Sequence, residues 1–289
     1  MRTVAIVGVG LIGGSFALAL KKAGFTGEIL GVSSERTIAT ALERGAIDRA
    51  ATFEQAINEA DFVYLASPIH NIITDIERLG KIVKPGARLL VTDAGSTKQE
   101  IVAAAAKNLP AGIFLGGHPM AGKESRGVGS ADANLFQGRT YVLTPTASEQ
   151  MQWPAVIELL QWISKAGANP LVLTPQQHDH AVAFTSHLPQ LISTALAISV
   201  DRNLPDANSQ KTAGPGFQDM SRLALSSFEV WNDILDSNAS EIDAALESYI
   251  AVLTQFRTQL KTDPAALQIS FEQAAAFRKR LFTATILGS

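Results

Sequence analysis

The stretch at residues 3–14, TVAIVGVGLIGG, constrains the fold of this chain more than any other. It begins with a mostly apolar run rich in β-branched side chains, which is typical of a strand buried on both faces. The run is followed by the pattern G-x-G-x-x-G, whose glycines permit a tight turn, close approach of a pyrophosphate and close helix–strand packing. Because the helix that follows offers free N–H groups to phosphates, the sequence predicts a dinucleotide site made by Gly8, Gly10, Leu11, Ile12 and Gly13.

The composition narrows the class of protein. The 289 residues are 46% hydrophobic, enough for two domains, and the net charge of −3 gives no electrostatic footprint for nucleic acid or a membrane surface. The chain has no cysteine, which excludes disulfides, thiolate metal sites and cysteine nucleophiles and fits a reducing cytoplasm. Arg2 and the apolar run to Leu20 resemble a signal peptide or anchor, but the glycines in that run fit a turn better than a spanning helix. We therefore expect a cytoplasmic protein.

Strands and helices alternate over the first 174 residues. Apolar runs predict strands at residues 28–32, 61–66, 88–92, 113–115, 141–143 and 170–173, and helical patterns lie at 11–23, 35–44, 69–82, 99–107 and 151–166. This alternation favours an α/β fold with a Rossmann-type, doubly wound parallel sheet over residues 1–174, with ligands at the carboxyl ends of the strands.

Residues 175–289 show helical patterns alone, at 178–202, 218–226, 229–261 and 265–285. The segment is rich in Ala and Leu and has few turns. It therefore predicts an all-helical second domain whose helices intertwine or form a dimer.

The end of the second strand bears on the choice of cofactor. An acidic residue there usually holds the ribose 2′-hydroxyl, but this chain has Ser33, followed by Ser34 and Arg36. Two hydroxyls and a guanidinium could receive a 2′-phosphate, which favours NADP over NAD. In the alternative interpretation a serine caps the next helix and Arg36 is solvated. Ser67 and Pro68 close a further strand at the same edge of the sheet and are assigned to the cofactor site.

Three polar residues are candidates for the chemistry. His118 lies between glycines and a proline after the strand at 113–115, and its ordinary pKa near neutrality suits a general base. Ser96, at the end of a neighbouring strand, could orient the imidazole. Arg222, in a Gly- and Pro-interrupted stretch leading into a helix, could hold a substrate carboxylate by two hydrogen bonds. The alternatives are a loop histidine bonded to a carbonyl and a surface salt bridge.

Five motifs together carry a resemblance to a known family. They are GVGLIGGS at 8–15, DAGSTK at 93–98, GGHPMAG at 116–122, SHLPQ at 186–190 and GFQDMSRLA at 216–224. In this order and spacing, over nearly the whole chain, they resemble the prephenate/arogenate (cyclohexadienyl) dehydrogenases of tyrosine biosynthesis, a branch of aromatic amino acid biosynthesis. The resemblance implies an oxidoreductase with a C-terminal dimerisation domain like that of 6-phosphogluconate dehydrogenase, a homodimer, and a small-molecule substrate.

The reaction that the resemblance implies is oxidative decarboxylation of prephenate to 4-hydroxyphenylpyruvate with NAD or NADP. Arogenate, alone or beside prephenate, is the alternative substrate. His118 would accept the hydroxyl proton as hydride leaves the same carbon, and Ser96 would hydrogen-bond His118 or that hydroxyl. Arg222 would hold the ring carboxylate, His187 and Gln190 would approach the substrate side chain, and Glu124 would join a polar network at the pocket mouth. His187 could instead be a packing residue and Glu124 a solvated charge.

Two positions depart from the family pattern. Many prephenate-specific members have a histidine where this chain has Gln190, which leaves the choice between prephenate and arogenate open. Gln218 replaces a common basic residue.

His178 and His180 have the spacing of a metal pair, but Asp179 is not expected to share their face. We therefore interpret the histidines as capping or packing residues and expect no metal.

Two other classes of protein fit the sequence less well. A β-hydroxyacid dehydrogenase would have a catalytic lysine on the first helix after the domain junction, and residues 176–200 contain no lysine. A non-catalytic NADP-binding module that senses redox state would need the glycine fingerprint but not His118, Ser96 and Arg222 together.

Overall fold

The computed structural model describes the backbone of residues 1–287 and the side chains of residues 1–282. Its eight strands form one sheet: β1 (Thr3–Val7), β2 (Glu28–Val32), β3 (Arg49–Ala50), β4 (Phe62–Leu65), β5 (Leu90–Asp93), β6 (Phe114–Pro119), β7 (Thr140–Thr144) and β8 (Asn169–Val172). Their order in the sheet is β3-β2-β1-β4-β5-β6-β7-β8. The predicted Rossmann-type α/β sheet is therefore confirmed.

One pair of neighbouring strands departs from the predicted parallel arrangement. β6 and β7 are antiparallel, with His118 opposite Val142, whereas the other neighbouring pairs are parallel. Parallel strands need a long crossover, usually a helix, and the segment between β6 and β7 contains only a 3₁₀ turn at Val128–Ser130. Because β7 starts at the edge where β6 ends, this segment stays at the carboxyl edge of the central strands.

Helices cover both faces of the sheet and make up the rest of the chain. They are α1 (Leu11–Lys22), α2 (Glu35–Glu43), α3 (Phe53–Glu59), α4 (Ile69–Ile82), α5 (Gln99–Asn108), α6 (Pro154–Lys165), α7 (Pro175–Val182), α8 (Leu188–Asn203), α9 (Ala207–Gln210), α10 (Pro215–Ser221), α11 (Phe228–Ser237), α12 (Ala239–Thr262) and α13 (Pro264–Leu287). The sequence analysis missed β3 and α3. The helix predicted at 178–202 is two helices joined by a π-helical turn at Ala183–His187. The helix predicted at 229–261 is likewise two, α11 and α12.

The first strand shows why the sheet is buried on both faces. Val4 and Ile6 belong to one apolar cluster, whereas Ala5 and Val7 belong to a second cluster on the opposite face. In the first cluster the ring of Phe16 from α1 stacks on Tyr64 of β4 at a centroid distance of 4.1 Å. The strand pattern of the sequence therefore predicted this packing correctly.

The chain divides into two compact units, residues 1–239 and 240–289. Helix α11 belongs to the first unit, where Ser237 lies 2.8 Å from Thr97, oxygen to oxygen, and Asp233 accepts a hydrogen bond from the backbone N–H of His70. The second unit consists of α13 and all but the first residue of α12. The functional domain boundary at residue 174 stays a prediction.

One helical stretch, Pro175–Asn203, is long and apolar enough to cross a membrane by length and composition alone. The same description fits the core helix of a soluble protein. His178, Asp179 and His187 of this stretch are buried against polar partners of the first unit. The first half of the stretch, which carries these residues, therefore packs within the first unit, whereas the C-terminal end of the stretch is exposed.

Candidate active site

The glycine loop between β1 and α1 leaves room for a phosphate. Gly8 has φ +89°, and a Cβ there would lie 2.6 Å from Oγ of Ser67 at the end of β4. A Cβ on Gly13 would lie 2.3 Å from the carbonyl oxygen of Gly8. By contrast, a Cβ on Gly10 would meet nothing within 4 Å, and no side chain caps the helix that begins after it. The start of α1 therefore has open space beside Gly10 and no capping side chain, which fits a dinucleotide pyrophosphate.

The residues predicted to contact the cofactor's ribose lie together at the end of β2. Ser33, Ser34 and Arg36 are exposed. Ser34 occupies the N-cap position of α2 but makes no capping hydrogen bond, because its hydroxyl lies 3.0 Å from Oγ1 of Thr37. Pro68 precedes α4 in the same way that Gly10 precedes α1.

A buried ion pair fixes the loop after β5. Asp93 and Lys98 are fully buried and pair with each other, and Lys98 Nζ also donates to the carbonyl of Gly117 at 2.7 Å. Asp93 accepts hydrogen bonds from the N–H groups of Gly95 at 2.8 Å and Gly117 at 3.0 Å. Burial lowers the pKa of Lys98, an effect that the charge of Asp93 opposes. These contacts hold the segment that carries Ser96 against β6.

His118 lies within β6 rather than in a loop after it, which corrects the sequence prediction. Strand β6 continues to Pro119 because β7 pairs with its second half. The imidazole is half-buried, and its Nδ1 lies 2.8 Å from Nε2 of His178. Among the described residues no hydrogen bond joins Ser96 to His118, so His178 occupies the orienting position that was predicted for Ser96.

His178 and Asp179 form the next link, and both are fully buried. Nδ1 of His178 lies 2.7 Å from Oδ1 of Asp179, whose two carboxylate oxygens accept from the N–H groups of Lys98 (2.7 Å) and Gln99 (2.8 Å) at the start of α5. Asp179 is therefore the capping residue, and it does reach His178, contrary to the expectation from helical spacing.

His180 does not pair with His178. It is exposed, and its ring centroid lies 5.2 Å from that of Phe184. In the part of the chain that the structure describes, no group of three His, Cys, Asp or Glu side chains could hold a metal ion.

Burial lowers the pKa values of two histidines in this region, His118 and His187. The pKa of His118 is lowered well below its usual value by burial, with further lowering by His178, Lys98 and His187. Burial also lowers the pKa of His187 to about 4, and its Nδ1 lies 3.2 Å from Nδ2 of Asn238. His118 is therefore neutral near pH 7, as a proton acceptor must be.

Arg222 and Glu124 lie at a cavity of about 660 Å³. Their ion pair spans 3.2 Å, and both side chains are exposed. Leu11 and Ile12 of the glycine loop line the same cavity, whereas Ser96, His118, His187 and Gln190 are not among its lining residues. The structure therefore brings the predicted residues together in two groups, one around His118 and one around Arg222.

Gln190 is buried beside the second group. Its amide nitrogen donates to the carbonyl of Leu223, the residue after Arg222, at 2.9 Å. Sequence reasoning named this residue but missed the roles of Lys98, His178 and Asp179. These three lie at the starts of two helices, Lys98 at the N-cap of α5 and His178 and Asp179 in the first turns of α7, and a polar residue at the start of a helix is the signal that could have identified them.

Two family models match the chain. One is described as "Prephenate dehydrogenase, nucleotide-binding domain" and matches residues 16–169, and the other, "Prephenate dehydrogenase, dimerization domain", matches residues 174–270. A prephenate dehydrogenase of Bacillus subtilis (strain 168) is 36% identical over 91% of this chain and 71% of that protein. A cyclohexadienyl dehydrogenase of Zymomonas mobilis is 30% identical over 90% of this chain and 88% of that protein.

Solved structures agree with these matches over almost the whole chain. Prephenate dehydrogenase from A. aeolicus in complex with hydroxyphenyl propionate and NAD⁺ has a TM-score of 0.87 and 28% identity, covering 98% of both chains. Synechocystis arogenate dehydrogenase has a TM-score of 0.82 and 31% identity, covering 96% of this chain and 99% of that one.

Proposed function

Because the chain belongs to the prephenate dehydrogenase family, we propose that it catalyses the oxidative decarboxylation of prephenate to 4-hydroxyphenylpyruvate. The observation that carries this proposal is the neutral, half-buried His118 at the end of β6. A base at this position suits a reaction in which a hydroxyl loses its proton. Such an enzyme of tyrosine biosynthesis is proposed to act in the cytoplasm.

His118 is the proposed general base. It accepts the proton of the 4-hydroxyl while hydride leaves the same carbon, and the ring carboxylate then departs as carbon dioxide. The electron pair of the broken carbon–carbon bond makes the ring aromatic, and the phenolate oxygen recovers the proton from His118. Since no net proton is produced and aromatisation drives the reaction, the enzyme mainly has to align the groups. Ser96 is proposed to hydrogen-bond the same hydroxyl.

A nicotinamide cofactor, when bound, supplies the hydride acceptor. The residues proposed to hold it are Gly8, Gly10, Leu11, Ile12, Gly13, Ser67 and Pro68, with NADP favoured by Ser33, Ser34 and Arg36. The exposed hydroxyls and guanidinium support NADP because they offer donors to a 2′-phosphate, and position 33, at the end of β2, carries a serine rather than a carboxylate. Ser33→Asp is then expected to shift the ratio of kcat/KM toward NAD, whereas an unchanged ratio would remove the argument for NADP.

Arg222 is the proposed partner of the ring carboxylate. A guanidinium can bind a carboxylate by two hydrogen bonds, and the exposed pairing with Glu124 leaves it accessible from the cavity. Glu124 accordingly competes with substrate for Arg222 at the cavity mouth. His187 and Gln190 are proposed to approach the substrate side chain.

Gln190 favours arogenate as a second candidate substrate. Its amide nitrogen donates to the carbonyl of Leu223 and to Oγ1 of Thr194, so these two acceptors fix the orientation of the amide. Its Oε1 is then a buried acceptor with no hydrogen-bond partner among the described residues, which costs about 1–3 kcal/mol. The ammonium group of arogenate can donate to such an oxygen, whereas the keto oxygen of prephenate cannot.

The enzyme is proposed to work as a homodimer. The match to a dimerisation domain supports this state, as do the large apolar side chains that α12 and α13 expose, among them Ile250, Leu260, Ile269, Phe271 and Phe277. Apolar surface of this kind usually marks a protein interface. Analytical ultracentrifugation should give twice the chain mass of 30.7 kDa, and a monomer would contradict the proposal.

Absorbance at 340 nm tests the proposed reaction. Purified protein is assayed with prephenate or arogenate, each with NAD and with NADP. Signal in any of these mixtures supports the reaction class, and the ratios of kcat/KM identify substrate and cofactor. Gln190→Leu should lower kcat/KM for arogenate more than for prephenate. No signal in any mixture from folded, cofactor-binding protein would refute the proposal in favour of a non-catalytic binding module.

A further inference from the structure

We propose that Asp179 and His178 act as positioning residues that hold His118 in the tautomer whose Nε2 can accept the substrate proton. The proposal deepens the proposed function, on which it rests for the identity of the proton donor. It assigns a role to two fully buried side chains that the proposed chemistry does not otherwise use. The distances along the chain Asp179–His178–His118 are 2.7 and 2.8 Å.

The position of each proton follows from the carboxylate. An ionised Asp179 only accepts hydrogen bonds, so Nδ1 of His178 must carry the proton that it donates to Oδ1. In a neutral His178, Nε2 is then an acceptor. Nδ1 of His118 must in turn be protonated to donate to it. The lone pair of His118 therefore lies on Nε2, which has no hydrogen-bond partner among the described residues.

The hydrogen-bonded series Asp179–His178–His118 is held in place at the start of a helix. Both oxygens of Asp179 accept backbone N–H groups at the start of α5, at 2.7 and 2.8 Å. Such donors and the helix dipole favour negative charge on the side chain. Because β5 leads into this helix through the buried Asp93–Lys98 pair, the carboxylate is fixed to the same framework that carries His118.

Without Asp179 and His178, His118 would be free to adopt the other tautomer. A proton on Nε2 would leave no lone pair there for the substrate hydroxyl. In Ser-His-Asp triads, loss of the orienting carboxylate leaves the geometry intact but lowers kcat by about 10⁴. The effect expected here is on kcat, with little change in KM, since neither His178 nor Asp179 is proposed to contact substrate.

Two substitutions of His178 separate the hydrogen bond from packing. His178→Gln can keep an acceptor near the position of Nε2, whereas His178→Leu removes it, and both lose the donor to Asp179. We expect His178→Leu to lower kcat by about 10²–10³, the order of a lost acid–base contribution, and His178→Gln to stay within about tenfold of wild type. Equal kcat values for the two variants, at matched melting temperatures, would overturn the proposal.

A double variant tests whether His178 acts through His118. In the His118→Asn background, adding His178→Leu should change kcat by less than about threefold, because residues that act as one unit are not additive. A full further loss of 10²–10³ would mean that His178 works independently, which would contradict the proposal.

The ring ¹⁵N chemical shifts of His118 provide a readout that does not need turnover. With ¹⁵N-labelled histidine, the resting wild-type enzyme should show a protonated Nδ1 and an unprotonated Nε2, and His178→Leu should lose this preference. A proton on Nε2 in an active wild-type enzyme would refute this inference and leave the proposed reaction standing. The expected shifts in a protein inactive on both substrates would support the positioning chain and refute the reaction.

Discussion

At the scale of single residues, the proposed site depends on keeping a histidine neutral inside the protein. Burial removes water from His118, and the nearby His178, Lys98 and His187 further disfavour a positive charge on it. The residue as a whole is nevertheless only half-buried. A base of this kind stays competent at pH values where a free imidazole would already be protonated.

The pH dependence of kcat/KM tests this protonation state. Because the pKa of His118 is lowered well below 6.5, the active neutral form persists as the pH falls through 6.5 and is lost only at more acidic pH. The profile for the free enzyme should therefore be flat from pH 7.5 to below 6.5. An acid limb centred at or above pH 6.5 would contradict the burial argument.

Replacement of the proposed base is a separate test. His118→Asn should lower kcat by about 10²–10⁴ and keep cofactor affinity.

Arg222 offers a second test at this scale. Arg222→Gln should raise KM for substrate by about tenfold or more through loss of a charge-assisted pair. Protein stability should change little because the ion pair with Glu124 is exposed. Arg126→Gln is the matched control, since Arg126 lines the same cavity and pairs with the exposed Glu229 at 3.1 Å. A normal KM in Arg222→Gln would locate the carboxylate contact elsewhere.

At the scale of strands and helices, local sequence predicted the elements and missed the long-range pairings. The glycine fingerprint identified β1 and α1, and helix α4 was predicted to the residue. Strand β6, however, was predicted to stop before His118, because the antiparallel partner that extends it lies more than twenty residues away in β7. A two-residue strand such as β3 has too little pattern of its own to be recognised.

The candidate site residues could be picked out to a similar degree, and their roles stay predictions. His118 was recognisable from its neighbours in the chain, since a histidine between glycines and a proline after a strand is a local signal. Its hydrogen-bond partner was not, because His178 lies 60 residues away and reaches it only in the folded protein. Helical spacing also predicted that Asp179 would face away from His178, whereas adjacent side chains at the first turns of α7 bond directly.

The buried pair between β5 and α5 gives a prediction at this scale. Lys98→Met should leave Asp93 as an uncompensated buried charge and lower the free energy of unfolding by about 3–5 kcal/mol. The matched control is Lys123→Met, which breaks the half-exposed pair with Asp132 at 2.8 Å and should cost about 1 kcal/mol or less. Urea denaturation measures the loss in free energy of unfolding for both variants. Similar losses would mean that burial does not make the Asp93–Lys98 pair contribute more than an exposed pair.

At the scale of the whole molecule, the buried neutral histidines make folding stability depend on pH. Two histidines are held neutral inside the first unit, His118 at the proposed base position and His187 beside Asn238. The unfolded chain binds protons at these histidines near pH 6.5, whereas the folded chain does so only at lower pH. Folding stability must therefore fall with acidification, even where the proposed base remains active.

His187, whose pKa falls from 6.5 to about 4 on folding, gives the size of the loss of folding stability on acidification. At pH 5 the unfolded chain is protonated there and the folded chain is not, which removes about 2 kcal/mol of stability relative to pH 8. The loss begins as the pH drops below 6.5 and is complete near pH 4. The melting temperature should accordingly fall over this range. His187→Asn, which cannot titrate, should show a shallower fall, and an equal pH dependence would mean that His187 is protonated in the folded protein.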